Sequence, residues 1–187
     1  MHEDIKKAVD VLHHGGIILY PTDTIWGIGC DATNFDAVKR IYRLKKRTDS
    51  KSMLILLDND AKLNSYLHEV PEIAYDLIDL SDKPITIIYD GAKNIASNLI
   101  AEDGSIGIRI TTEEFSKQLC ARFKKPIVST SANVSGEPSP GHFGEISDEI
   151  VKGVDYVVKF RQEENSPAKP SSIIKLGNKG QVKIIRE

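Results

Sequence analysis

Residues 113–140 read E-E-F-S-K-Q-L-C-A-R-F-K-K-P-I-V-S-T-S-A-N-V-S-G-E-P-S-P. A helix is predicted over Glu113 to Phe123. Ile127-Val128 then reads as the end of a buried strand, and a loop rich in small polar residues follows it. Ser129, Thr130, Ser131, Asn133, Ser135 and Ser139 crowd that loop. Hydroxyls, an amide and a glycine let side-chain and backbone donors close around an anion. Loops at the carboxyl ends of strands are also where open α/β sheets take their ligands. The same residue types make ordinary surface turns, and on this stretch alone both readings stay open.

Outward from there, strands and helices interleave. Ile5, Ala8, Val9 and Leu12 recur at helical spacing, with Gly15-Gly16 as the stop signal. Ile17 to Tyr20 reads as a buried strand, and Ile25 to Gly29 continues in extended form after a turn at Pro21 to Thr24. Asn34 caps a predicted helix with Val38, Ile41 and Tyr42 on its apolar face. Strands are expected at Met53–Leu57, Ile85–Tyr89, Ile106–Ile110, Tyr156–Phe160, Ser172–Leu176 and Val182–Ile185. Helical patterns fall at Ala61–Leu67 and Glu72–Leu80. This alternation defines an α/β class. The polar run Arg161 to Pro170 reads as a loop within the domain, not a linker between domains.

With 187 residues the chain suffices for one domain, taken as 1–187, with a substantial core. No apolar run is long enough to span a bilayer, and M-H-E-D-I-K-K lacks the apolar core of a signal peptide. Cys30 and Cys120 show no metal-type or redox-type spacing, so a reducing cytoplasm is expected. The net charge of −2 gives no global basic face for nucleic acid.

Two further segments carry chemistry. In Y-P-T-D-T-I-W-G-I-G-C-D, Tyr20 to Asp31, Pro21 fixes a turn and Thr22, Asp23 and Thr24 present oxygens. Asp23 is read as a cap of its own turn and Trp26 as a packing residue. In L-K-K-R-T-D-S-K-S-M, Leu44 to Met53, the cations Lys45, Arg47 and Lys51 follow a helix end. They either complement the helix dipole or meet phosphate, Arg by its fork and Lys as a point charge. No P-loop motif is present. Arg109, at the end of an apolar strand, is costly to bury without an anion; that anion is a structural partner or a ligand carboxylate.

The three segments, in this order, resemble the YrdC-like family of threonylcarbamoyl-AMP synthases. The match covers Y-P-T-D-T…G-I-G-C-D, K-x-R-x-x-x-K at Lys45, Arg47 and Lys51, and S-T-S-A-N-x-S-G at Ser129 to Gly136. The resemblance implies a twisted, mostly buried mixed sheet flanked by helices, the YrdC-like (DHBP-synthase-like) fold. It also implies synthesis of L-threonylcarbamoyladenylate from L-threonine, bicarbonate and ATP with release of pyrophosphate. A separate tRNA threonylcarbamoyl transferase would consume the product. By the same resemblance Arg47, Lys51, Ser131, Asn133, Ser139 and Arg186 bind ATP, and Thr24, Arg109, Ser129 and Ser171 bind threonine. Arg47, Lys51 and Arg109 carry the catalysis. No protein metal site is implied, and Mg2+ would be held through the ATP phosphates.

Two places depart from the family. Many members carry W-P-G-P-L-T where this chain has Ser81 to Thr86, and Leu56 is a histidine in the longer members. The implied chemistry is positioning and charge neutralisation, with no general base or covalent nucleophile required. The competing readings are a paralogue that binds tRNA or double-stranded RNA without synthase activity, and a carbamoyl-adenylate site serving another acceptor.

Overall fold

The computed structural model describes residues 1–47, 53–165, 168–177 and 181–186. Its strands are β1 (Ile18–Tyr20), β2 (Gly27–Gly29), β3 (Leu54–Leu57), β4 (Ile85–Tyr89), β5 (Ile106–Ile110), β6 (Ile127–Ser131), β7 (Tyr156–Val157), β8 (Ser172–Leu176) and β9 (Val182–Arg186). The helices are α1 (His2–His13), α2 (Phe35–Leu44), α3 (Leu63–Tyr66), α4 (Ile73–Asp79), α5 (Glu114–Phe123) and α6 (Asp148–Gly153). Among the described residues the strands form one sheet in the order β7-β1-β2-β6-β3-β5-β4-β8-β9. Pairing is mixed: β1/β7, β3/β5 and β4/β8 run parallel, and the other neighbours antiparallel. This is the mixed, helix-flanked sheet expected from the sequence.

Local chemistry sets the helix ends. The Asn34 side chain accepts a hydrogen bond from the Ala37 amide and starts α2, whose Ala37, Val38, Ile41 and Tyr42 are buried. The Glu113 carboxylate accepts from the amides of Phe115 and Ser116 and starts α5, which packs on α1. The α1 residues Ile5, Ala8 and Leu12 and the α5 residues Phe115, Leu119 and Phe123 join one continuous core with the apolar side of the sheet.

Glycine permits one close approach. A Cβ on Gly29 would lie 2.5 Å from the Val128 carbonyl oxygen and 2.7 Å from the Tyr20 ring. The Tyr20 hydroxyl donates to that same carbonyl at 3.2 Å. Strand β2 therefore fits between β1 and β6 only because it has no side chain there.

Four expectations change. Strand β6 runs on through Ser131, so Ser129, Thr130 and Ser131 are sheet residues, not the start of the loop. Their pairing with Leu54 of β3 and with Gly27 and Ile28 of β2 satisfies the backbone and overrides their turn preference. Strand β7 stops at Val157, where the Lys159 and Phe160 amides turn to the Asp4 carboxylate. The predicted helix over Ala61–Leu67 divides into a 3-10 turn at Asp60–Lys62 and α3. Helix α6 is an additional element, and its Glu149 forms an exposed ion pair at 2.8 Å with Lys46, just past the end of α2.

Candidate active site

Strand alternation builds the site. On β5, Ile106 and Ile108 belong to the core while Gly107 and Arg109 line a cavity. On β4, Ile87 is core while Thr86 and Ile88 line the cavity; on β6, Ile127 and Val128 are core and the following Ser129, Thr130 and Ser131 all line it. The polar and small residues thus share one face of the sheet. The cavity lies across that face, and the loop after β6 reaches it at Ser139. It measures about 260 Å³, and Trp26, Arg47, Ser139, Pro170 and Arg186 also border it. Arginines and hydroxyls line it, and among the described residues none of the lining side chains is acidic. Such a wall suits an anionic ligand.

Arg109 is 3% exposed. Its Nη1 donates to Thr24 Oγ1 at 3.2 Å, and its Nε lies 3.2 Å from Asp23 Oδ1. The Asp23 contact is an ion pair without hydrogen-bond alignment. Burial raises the Asp23 carboxyl above its ordinary value, against the opposing pull of the Arg109 charge. Asp23, read from sequence as a turn cap, is thus the partner of a residue on β5.

Ser171 is buried, and its hydroxyl shares a 2.8 Å hydrogen bond with Thr86. The Ser171 carbonyl accepts from Arg186 Nε at 3.0 Å and from Nη2 at 2.7 Å. Arg186 therefore anchors the start of β8 as well as bordering the cavity. Thr24, Arg47, Arg109, Ser129, Ser131, Ser139, Ser171 and Arg186 all line the one cavity. Lys51 lies outside the described residues.

Asn133 is placed differently. Its Nδ2 donates to the carbonyls of Val134 at 3.1 Å and Glu137 at 2.6 Å, and its Oδ1 accepts from Lys45. The amide holds the loop after β6 in shape and does not line the cavity. Lys45 is the other half of this brace. It is 1% exposed, and its Nζ donates to the Ser131 carbonyl at 2.5 Å, the Asn133 carbonyl at 2.6 Å and Asn133 Oδ1 at 3.4 Å. An ammonium has three hydrogens, and these contacts account for all of them. Burial first, and the neighbouring Arg47 charge second, lower the Lys45 pKa to about 8. Arg47, two residues on, is half-buried and borders the cavity.

Trp26 packs its ring on Phe143, centroids 4.9 Å apart, and also borders the cavity. The packing reading was right but incomplete. Cys30 and Cys120 are buried in the core, and burial raises both thiols. Among the described residues no cluster of three His, Cys, Asp or Glu side chains is placed to hold a metal ion. No described helix is long and apolar enough to cross a membrane.

Comparison with known proteins gives the family and supports the fold. The Sua5/YciO/YrdC family model, described as "Telomere recombination", matches residues 10–187, and the chain belongs to that family. It is 33% identical over 157 residues to the threonylcarbamoyl-AMP synthase of Pseudoalteromonas translucida, covering 82% of this chain and 84% of the relative. It is 32% identical over 137 residues to the threonylcarbamoyl-AMP synthase of Coxiella burnetii, covering 73% and 74%. The crystal structure of E. coli YciO superposes with a TM-score of 0.86 at 25% identity, covering all of this chain and 90% of that one. The P. abyssi Sua5 structure complexed with L-threonine shares the fold, with a TM-score of 0.86 at 22% identity. This chain spans 53% of that Sua5 chain, while 97% of this chain is covered.

Proposed function

We propose that this protein is an L-threonylcarbamoyladenylate synthase, a nucleotidyltransferase that joins L-threonine, bicarbonate and ATP. One observation carries the reading: a buried arginine with incompletely satisfied hydrogen bonds opens, with Arg47 and a row of hydroxyls, into one cavity whose described lining holds no acidic side chain. The named relatives of similar length support it.

Arg109 grips the threonine carboxylate by its terminal nitrogens, a geometry that the guanidinium fork provides and an ammonium does not. Thr24, Ser129 and Ser171 supply hydroxyls around the amino acid. Arg47 and Lys51 neutralise the ATP phosphates, and Ser131, Ser139 and Arg186 contact the nucleotide. Asn133 serves the nucleotide side through the loop that it and Lys45 hold. The threonine amine takes up the carbon of bicarbonate, by way of carbon dioxide, to give an N-carboxylate, and the displaced amine proton leaves with the bicarbonate hydroxide as water. A carboxylate oxygen then attacks the α-phosphorus, the bond to the bridging oxygen breaks, and pyrophosphate leaves with its electron pair. The reactants bring the nucleophile and the leaving group, so the protein supplies orientation and positive charge. Mg2+ carried in with ATP would supply further charge neutralisation at the phosphates, since no cluster of described side chains is placed to hold a metal ion. The product is a mixed anhydride, suited to a transferase that moves the threonylcarbamoyl group to an adenosine of tRNA.

The test is product identification by mass spectrometry after incubation with ATP, Mg2+, L-threonine and isotopically labelled bicarbonate. The expected species is an adenylate carrying both threonine and the bicarbonate carbon. An adenylate lacking that carbon would contradict the reaction.

A further inference from the structure

Asp23 is the feature that the proposed reaction leaves unused. It sits in the turn between β1 and β2, and its side chain is 6% exposed. Among the described residues neither carboxylate oxygen has a partner in good hydrogen-bond geometry; Oδ1 stands 3.2 Å from the Arg109 Nε, and the Asp23 backbone amide and the Thr111 hydroxyl favour the charged form more weakly. The residue also borders a second cavity of about 110 Å³ on the opposite face of the sheet, walled by Ile78, Ile85, Ile87, Ile108 and Ile110. Ser81 to Pro84 closes that cavity, and its first three residues, Ser81 to Lys83, are where the sequence differs from the pattern it otherwise resembles.

A carboxylate buried without hydrogen bonds costs free energy, and so does a buried guanidinium without a counter-charge. Each offsets the other here, but the pair is not the forked arrangement that saturates both groups. Asp23 takes the Nε edge of Arg109, and the adjacent Thr24 takes one hydrogen of Nη1. Consecutive residues of one turn thus fix the guanidinium from behind and from one side. The remaining terminal hydrogens stay available to the cavity that Arg109 lines. A fully bonded partner would have consumed the fork, and no partner would have let it turn.

Resting on the threonine-binding reading above, we infer that Asp23 is a positioning residue that orients Arg109 for the carboxylate of the amino-acid substrate. It acts from the far face of the sheet and touches no reactant. The experiment is steady-state pyrophosphate release by the full chain, comparing wild type, Asp23→Asn and Asp23→Ala. Threonine-dependent release by the wild type tests the underlying reading separately. Both variants are expected to raise the KM for threonine about tenfold or more, while the KM for ATP stays within about twofold. Asp23→Ala enlarges the adjoining cavity. Added formate, a carboxylate of fitting size, is expected to restore most of its threonine KM and not that of Asp23→Asn. A threonine KM within about twofold of wild type in the isosteric Asp23→Asn protein overturns the inference. So does a parallel rise in the ATP and threonine KM values, which marks a general structural defect. Should Asp23→Ala fail to fold, Asp23→Asn decides alone.

Discussion

Lys45 and Arg109 are both cations buried to within a few per cent, at 1% and 3% exposed, yet their surroundings differ. The Lys45 ammonium has spent every hydrogen on the oxygens of Ser131 and Asn133. Among the described residues the Arg109 guanidinium has one hydrogen bond, to Thr24, and a misaligned ion pair with Asp23. The first is a finished structural joint between the end of α2 and the loop after β6. The second is held in place but unsaturated, and its fork opens into the cavity. Burial alone therefore does not mark a binding cation; the count of unspent hydrogens does.

Arg109→Ala breaks the comparison most severely. It removes the carboxylate grip and strands Asp23 in a buried place without a counter-charge. The threonine requirement should rise by roughly a hundredfold, ~3 kcal/mol, as when one partner of a buried charge pair is truncated. Arg109→Lys keeps the charge but loses the fork, and roughly a tenfold rise is expected. Titrating threonine at saturating ATP reads both, and equal effects of the two substitutions would show that charge matters here and geometry does not.

Lys45→Met tests the other side. It should leave threonine dependence nearly intact while lowering stability by ~2–4 kcal/mol, because buried carbonyl oxygens lose their donor. Thermal or urea unfolding measures this, with ATP KM as the companion readout. The pH dependence sharpens the point. The Lys45 pKa is lowered to about 8, so the folded protein gives up this proton before the unfolded chain does. By linkage the charging penalty is absent above the ordinary lysine value and fully present below about 8, so this group makes stability rise with pH across that window. Activity moves the opposite way, because the neutral amine has one donor fewer for the loop. Its alkaline limb should have a midpoint near pH 8, and Lys45→Arg should shift it.

Arg47→Ala should act least. The residue is half-buried at the edge of the cavity, so a screened phosphate contact is expected to cost about 1–2 kcal/mol in ATP KM. The loss should shrink as salt is added, whereas that of Arg109→Ala should not. A salt-independent Arg47 effect would place that side chain in the interior of the site.

The sequence disclosed the fold because its apolar runs are short, evenly spaced and separated by helical periodicities. Ile85–Tyr89, Ile106–Ile110 and Ser172–Leu176 match their strands end to end. Ser129 to Ser131 escaped because composition says turn, while long-range pairing with β2 and β3 decides the backbone. The candidate residues were mostly legible as types, and the resemblance named Arg109 and Ser171 beyond what either shows alone. Their division of labour was not legible. Lys45 and Asn133 face each other 88 residues apart, as a brace. Asp23 looked like a local cap because its partner lies far along the chain, on β5. The second cavity, beneath Ser81 to Pro84, has no signature in any single segment.

The most direct measurement of the central claim is pyrophosphate release from ATP, with bicarbonate and Mg2+, in the presence and absence of L-threonine, by wild type and Arg109→Ala in parallel. The account predicts release that requires threonine in the wild type and needs far more of it in the variant. Release of equal rate with and without threonine, or identical threonine curves for the two proteins, would contradict it.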